Sequence, residues 1–128
     1  PIYCVGKHCR CAERVCPISS TVQDLIEVFN GHPIVSATFH GHEDTGAYTH
    51  LDDTRIPPDG WFRGVTHPFH QFVVGPATMN AKSCKANRCD YNMPAPGFVA
   101  VEVDGPEVAV TFYQLDSMDP VNTIRFTK

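Results

Sequence analysis

Apolar and polar positions follow a helical period near the start of the chain and a period of two near its end. Over "SSTVQDLIEVFNGHP" (19–33), Val22, Leu25, Ile26, Val28 and Phe29 form one apolar face, which predicts an amphipathic helix. Ser20 can cap it, Gln23 follows three residues later as in a capping box, and Gly31 with Pro33 stops it. "PIVSATFH" (33–40) reads as a continuous apolar strand of the kind buried on both faces. "AYTHL", "WFRGV" and "HQFVVG" read as short strands, with "DDTRIPPDG" as a turn marked by its prolines and Asp59-Gly60. The stretch 76–96 has little periodicity and reads as a loop that needs a staple. "GFVAVEVDGPEVAVTFYQLD" alternates on both sides of Asp104-Gly105, a strong hairpin signal, and "NTIRFTK" adds a last strand. With "PIYCV" as a β-prone run at the start and no internal repeat, the expectation is an α/β or α+β fold. It is a sheet-rich, sandwich-like half-domain with one clear helix and a C-terminal hairpin.

Composition narrows this to one domain, 1–128, because 128 residues at 42% hydrophobic can bury a single core. A net charge of -4 with scattered lysines and arginines gives no basic face, and the cluster "KSCKANR" (82–88) is short, so nucleic acid is not an expected partner. No apolar run approaches the roughly 20 residues that span a bilayer. The start at Pro1 leaves a signal peptide, a longer precursor and methionine removal all open.

The six cysteines point to an oxidising, extracytoplasmic setting. Cys84 and Cys89 are close to each other and far from the rest, which predicts a local bridge. In the N-terminal loop 4–16, Cys9–Cys11 would be strained by its short span. That leaves Cys4–Cys9 with Cys11–Cys16, or Cys4–Cys11 with Cys9–Cys16. A zinc knot of these thiolates with His8 is the weaker reading, since paired C-x-x-C spacing is absent.

The stretch "SATFHGHEDTGAYTHLDD" (36–53) gathers His40, His42, Glu43, Asp44, His50, Asp52 and Asp53 just after an apolar run. Imidazoles and carboxylates at the end of a buried strand can hold zinc, manganese or iron. His40 and His42 would share a face on a continuing strand and Asp44 would extend it, whereas Gly41 favours a turn. The competing reading is a polar loop with solvated acids. Cys9 or Cys11 beside His8 gives no oriented third group for a thiol nucleophile, and no Gly-x-Ser-x-Gly is present. His67 and His70 read as hydrogen-bonding residues rather than ligands.

"DLIEVFNGHPIVSATFHGHED", followed by "GVTHPFHQFVVG" and "GFVAVEVDGPEVAVTFYQ", resembles the C-terminal half of calcineurin-like metallophosphoesterases, over most of the chain from residue 20 to 128. The resemblance implies a helix leading to a buried strand that ends in Gly-His-x-His, whose histidines bind two metals, and a hairpin that closes the sheet. Gly41 and His42 match the first half of that motif, and Asp44 stands where the second histidine would be. The family's other metal-binding motifs have no counterpart, and two bridged metals about 3.5–4 Å apart are what such hydrolysis needs. The expected metal residues are thus His42, Asp44 and His40, holding at most one divalent ion, weakly.

Three functions follow as expectations. The first is a secreted metallophosphoesterase-like fragment or remnant that does no catalysis alone. The second is a structural, self-associating extracellular module, an oligomer or filament subunit. The third is a phosphoesterase completed by a separate chain. The expected partner is another copy or a second chain that covers exposed sheet, because a strand such as "PIVSATF" needs cover on both faces.

Overall fold

A computed structural model of the chain describes residues 20–41, 44–58, 60, 62–75, 83–84 and 89–128. Among the described residues one helix, α1 (Ser20–Gly31), precedes seven strands. They are β1 (Ala37–His40), β2 (Gly46–Leu51), β3 (Phe69–Val73), β4 (Tyr91–Met93), β5 (Gly97–Asp104), β6 (Glu107–Gln114) and β7 (Pro120–Thr127). Four of them form a mixed sheet in the order β1-β3-β2-β4, and the other three form an antiparallel sheet in the order β5-β6-β7. The chain is therefore a sheet-rich α+β fold. The N-terminal run "PIYCV" and Cys4, Cys9, Cys11 and Cys16 lie outside the described residues.

Alternation along β2 and β3 sends side chains to opposite sides of the mixed sheet and so makes two cores. On one side Leu51 and Phe69 meet Ile26 of α1, with Ile56, Phe62 and Val65 completing a buried cluster. Phe29 of the helix touches Phe69 edge to face at 5.4 Å between ring centroids. The helix is also tied down by Asn30, whose side-chain amide donates to Gly64 O (2.7 Å) and whose oxygen accepts from Thr66 N (2.9 Å). On the other side Phe72 and Met93 pack with Val108, Val110, Phe112 and Phe126 of the second sheet. Helix, mixed sheet and antiparallel sheet are thus three layers, with the mixed sheet in the middle.

Several expected elements appear where the pattern places them. The hairpin β5–β6 pairs Gly97 with Gln114 through to Asp104 with Glu107, leaving Gly105 and Pro106 as a two-residue turn. Gly105 has φ 55°, the positive value that the first turn residue of a II′ hairpin requires. Cys84 and Cys89 are bridged, with Cα atoms 6.5 Å apart, and they pack against Ala47 and Val73.

Three expectations are corrected. "PIVSATFH" is not a strand buried on both faces: β1 is only four residues long and borders the sheet, paired with β3 alone among the described residues. Ile34 is 89% exposed and Phe39 45% exposed, because the helix end and the turn at Pro33–Ile34 consume the first half of the apolar run. The argument that this strand demands cover on both faces therefore loses its premise. "WFRGV" forms no strand over its described residues, 62–65, either, Trp61 lying outside them. Val65 N donates to Ile56 O (3.1 Å) and Gly64 has φ 70°, so the chain loops back and Phe62 and Val65 plug the helix-side core. Conversely, Tyr91–Met93 within 76–96 is a strand, β4, which pairs with β2 and buries Met93.

Candidate functional site

The His- and acid-rich stretch is split by the fold. β1 runs parallel to β3 with His40 beside Val73, and His40 O accepts from Val74 N at 2.8 Å. Its Nε2 is buried without a hydrogen-bond partner among the described residues, and so is Oγ1 of Thr38, two positions earlier on the same face. Burial holds the His40 pKa down to about 4, so the imidazole is neutral at pH 7 and keeps a lone pair. Asp44 is half-buried in the bend that enters β2, next to Thr45, which is fully buried and whose hydroxyl lies 3.3 Å from the side-chain oxygen of Asn92. His42 and Glu43 lie outside the described residues. Among the described residues no group of three His, Cys, Asp or Glu side chains could hold a metal ion.

The second half of the stretch, His50 and Asp52, joins a different cluster. The register of β2 against β3 sets His50 opposite His70 and Tyr48 opposite Phe72, so all four rings share the inner face of the mixed sheet. The Tyr48 hydroxyl is 2.9 Å from His70 Nδ1, and the His50 and His70 ring centroids are 5.1 Å apart. His70 also stacks on Phe126 of β7 at 4.1 Å, where the two sheets meet.

Past the end of β2, Asp52 shapes the loop. Its Oδ1 accepts from Thr54 N (3.0 Å), Thr54 Oγ1 (2.6 Å) and Arg55 N (3.1 Å), an Asx-type turn. These donors, the Thr54 hydroxyl foremost, hold the Asp52 carboxyl below the usual range and keep it ionised. The turn aims Arg55 at Asp90, which pairs through Oδ1 with the guanidinium and through Oδ2 with His50 N (2.7 Å). Tyr48, His50, Asp52, Thr54, Arg55, His70 and Asp90 together line an open cavity of about 570 Å³.

The electrostatics of this cavity are mixed. Burial, with His50 nearby, lowers the His70 pKa to about 4, and burial, then the Asp90 charge, raises that of Tyr48. Both members of the Tyr48–His70 pair are thus neutral at pH 7, and the direction of their hydrogen bond follows the imidazole tautomer. Of these residues the sequence drew attention to His50 and Asp52, and it gave His70 the hydrogen-bonding role that it has. The alternation in "AYTHL" is enough to put Tyr48 on the face of His50. Nothing local marks Asp90, 40 residues away from His50, or the partnership of Arg55 with it.

Comparison with protein-family models, with curated proteins and with solved structures finds no match to this chain. No helix among the described residues is long and apolar enough to cross a membrane.

Proposed function

We propose that the chain is a secreted, calcineurin-like metallophosphoesterase fragment or remnant that keeps metal ligands at the end of β1 and does not hydrolyse phosphoesters by itself. The observation that carries this reading is His40: a neutral imidazole whose buried Nε2 has no hydrogen-bond partner among the described residues, on a strand parallel to its neighbour, where the His- and acid-rich stretch begins. Unpaired buried polar atoms are rare, and a neutral imidazole is the form that binds metals. His42 and Asp44, with His40, would hold one divalent ion, which would act there as a Lewis acid. Aspartate in place of the second histidine lowers affinity for borderline metals, and three ligands do not make a two-metal clamp. The Cys84–Cys89 pair supports placement in an oxidising compartment, hence secretion.

Calorimetry with zinc and manganese tests this. Binding of at most one ion, weakened in His42→Ala and in Asp44→Asn, is expected, with no turnover of a generic phosphodiester. Tight binding of two ions together with turnover would show a working phosphoesterase, completed or not by another chain.

The second reading, self-association, is favoured by a separate observation. Val101 and Val103 of β5 project from the face that elsewhere carries the core between the sheets, yet they are 46% and 58% exposed. Among the described residues β5 also borders its sheet, so it offers an edge for pairing with a strand of another copy. A concentration-independent 14.2 kDa particle in light scattering would reject this second reading.

A further inference from the structure

We propose that the groove formed by Tyr48, His50, Asp52, Arg55, His70 and Asp90 binds a neutral polyhydroxylated ligand, a sugar unit. This does not rest on the phosphoesterase reading. All its lining residues come from β2, β3, the loop after β2 and the position before β4, so the mixed sheet supplies a shelf at whose edge the other sheet ends, with Phe126 against His70. A cavity of about 570 Å³ on such a shelf is in the size range of small-ligand sites.

The charges decide the class of ligand. A phosphate or carboxylate would meet two carboxylates, Asp52 and Asp90, and a guanidinium already paired with one of them. An ammonium would meet Arg55 in the same space. A hydroxyl meets neither objection, because it donates and accepts at once. His50 Nδ1 and Asp52 Oδ2 are 4.0 Å apart, too far for a direct hydrogen bond. One hydroxyl oxygen about 2.8 Å from each would bridge them, donating to the carboxylate and accepting from the imidazole N–H. Oδ1 of Asp52 is occupied by Thr54 and Arg55, so the carboxylate is pre-oriented with Oδ2 towards this gap. The His50 ring, whose side chain is 43% exposed, offers apolar surface to the C–H face of a pyranose, with the edges of Tyr48 and of His70, itself stacked on Phe126, beside it.

The test is saturation-transfer NMR with the methyl glycosides of mannose, glucose and N-acetylglucosamine, each at millimolar concentration. Inorganic phosphate and methylammonium are followed in parallel by amide shifts. The expected result is transfer to ring protons of at least one glycoside, with amide shifts confined to the strands and loop that carry His50, Asp52 and Arg55. Asp52→Asn can keep Oδ1 as an acceptor for the turn while replacing the open Oδ2 by a donor, and should weaken binding about tenfold. The amide spectrum of that variant shows whether the turn survives. Were it to unfold, the location of the shifts in the unaltered protein decides the matter. No binding of any glycoside, shifts elsewhere on the surface, or a response to phosphate or methylammonium alone would overturn the proposal.

Discussion

The Tyr48 hydroxyl sits 2.9 Å from Nδ1 of His70, diagonally across the β2–β3 ladder, and fixes the orientation of an imidazole that also stacks on Phe126 of the other sheet. Tyr48→Phe keeps the ring and leaves that nitrogen without its partner. We expect a loss of about 1 kcal/mol, the net worth of a partly buried hydrogen bond. Urea unfolding measures it, and an unchanged midpoint would mean that the bond contributes nothing.

Acid should destabilise the fold through the same imidazole. The unfolded chain takes up this proton at 6.5, and the folded chain only at about 4. Between those values the unfolded state binds more protons, so stability is full above the upper one and falls as pH drops towards the lower. His40, also lowered to about 4, adds a contribution of the same sign. His70→Gln should therefore reduce, without abolishing, the difference between urea midpoints at neutral pH and at about pH 5 in metal-free buffer. A slope identical to that of the unaltered protein would refute this assignment.

Gly64 holds the loop that plugs the helix-side core. Its φ is 70°, and a Cβ there would lie 2.6 Å from Ile56 O and 2.7 Å from Pro58 N. Gly64→Ala combines a strained backbone with a clash against main-chain atoms that cannot swing away, and should destabilise by about 2 kcal/mol or more. The thermal midpoint checks it, and Gly31→Ala, where a Cβ meets nothing within 4 Å, is the control.

The Cys84–Cys89 bridge spans a sequence separation of 5, and its two cysteines pack against Ala47 and Val73. The backbone N–H of Cys84 also donates to Asn92 of β4. Replacing both cysteines by alanine should reduce stability by about 2 kcal/mol on the chain-entropy account of a loop this short. Urea unfolding of the double variant measures the loss, and an unchanged midpoint, or free thiols at these two positions in non-reducing peptide mapping of the unaltered protein, would refute the prediction.

What the sequence determined by itself was local. The period of the 20–31 segment with its Gly31 and Pro33 stops gave α1, the alternation around Asp104-Gly105 gave β5 and β6, and the spacing of Cys84 and Cys89 gave their bridge. Each is a contest decided among near neighbours, through backbone period, turn chemistry or a short closure. Tertiary structure decided the rest. The apolar run 33–40 looked central because hydrophobicity records apolar content and not position in a sheet, and only the pairing order placed β1 at the border. Phe62 and Val65 had strand-like residues but were drawn into a loop because their burial, under α1, was available without a ladder. The division of one His- and acid-rich stretch between His40 at the end of β1 and the His50–Asp52 groove was not legible either. It follows from β2 turning back antiparallel to β3, which carries His50 across the sheet to His70 and Asp90 while His40 stays at the far end beside Val73. Convergence of distant residues depends on strand order and register, and these are set by the burial of the whole chain rather than by any segment of it.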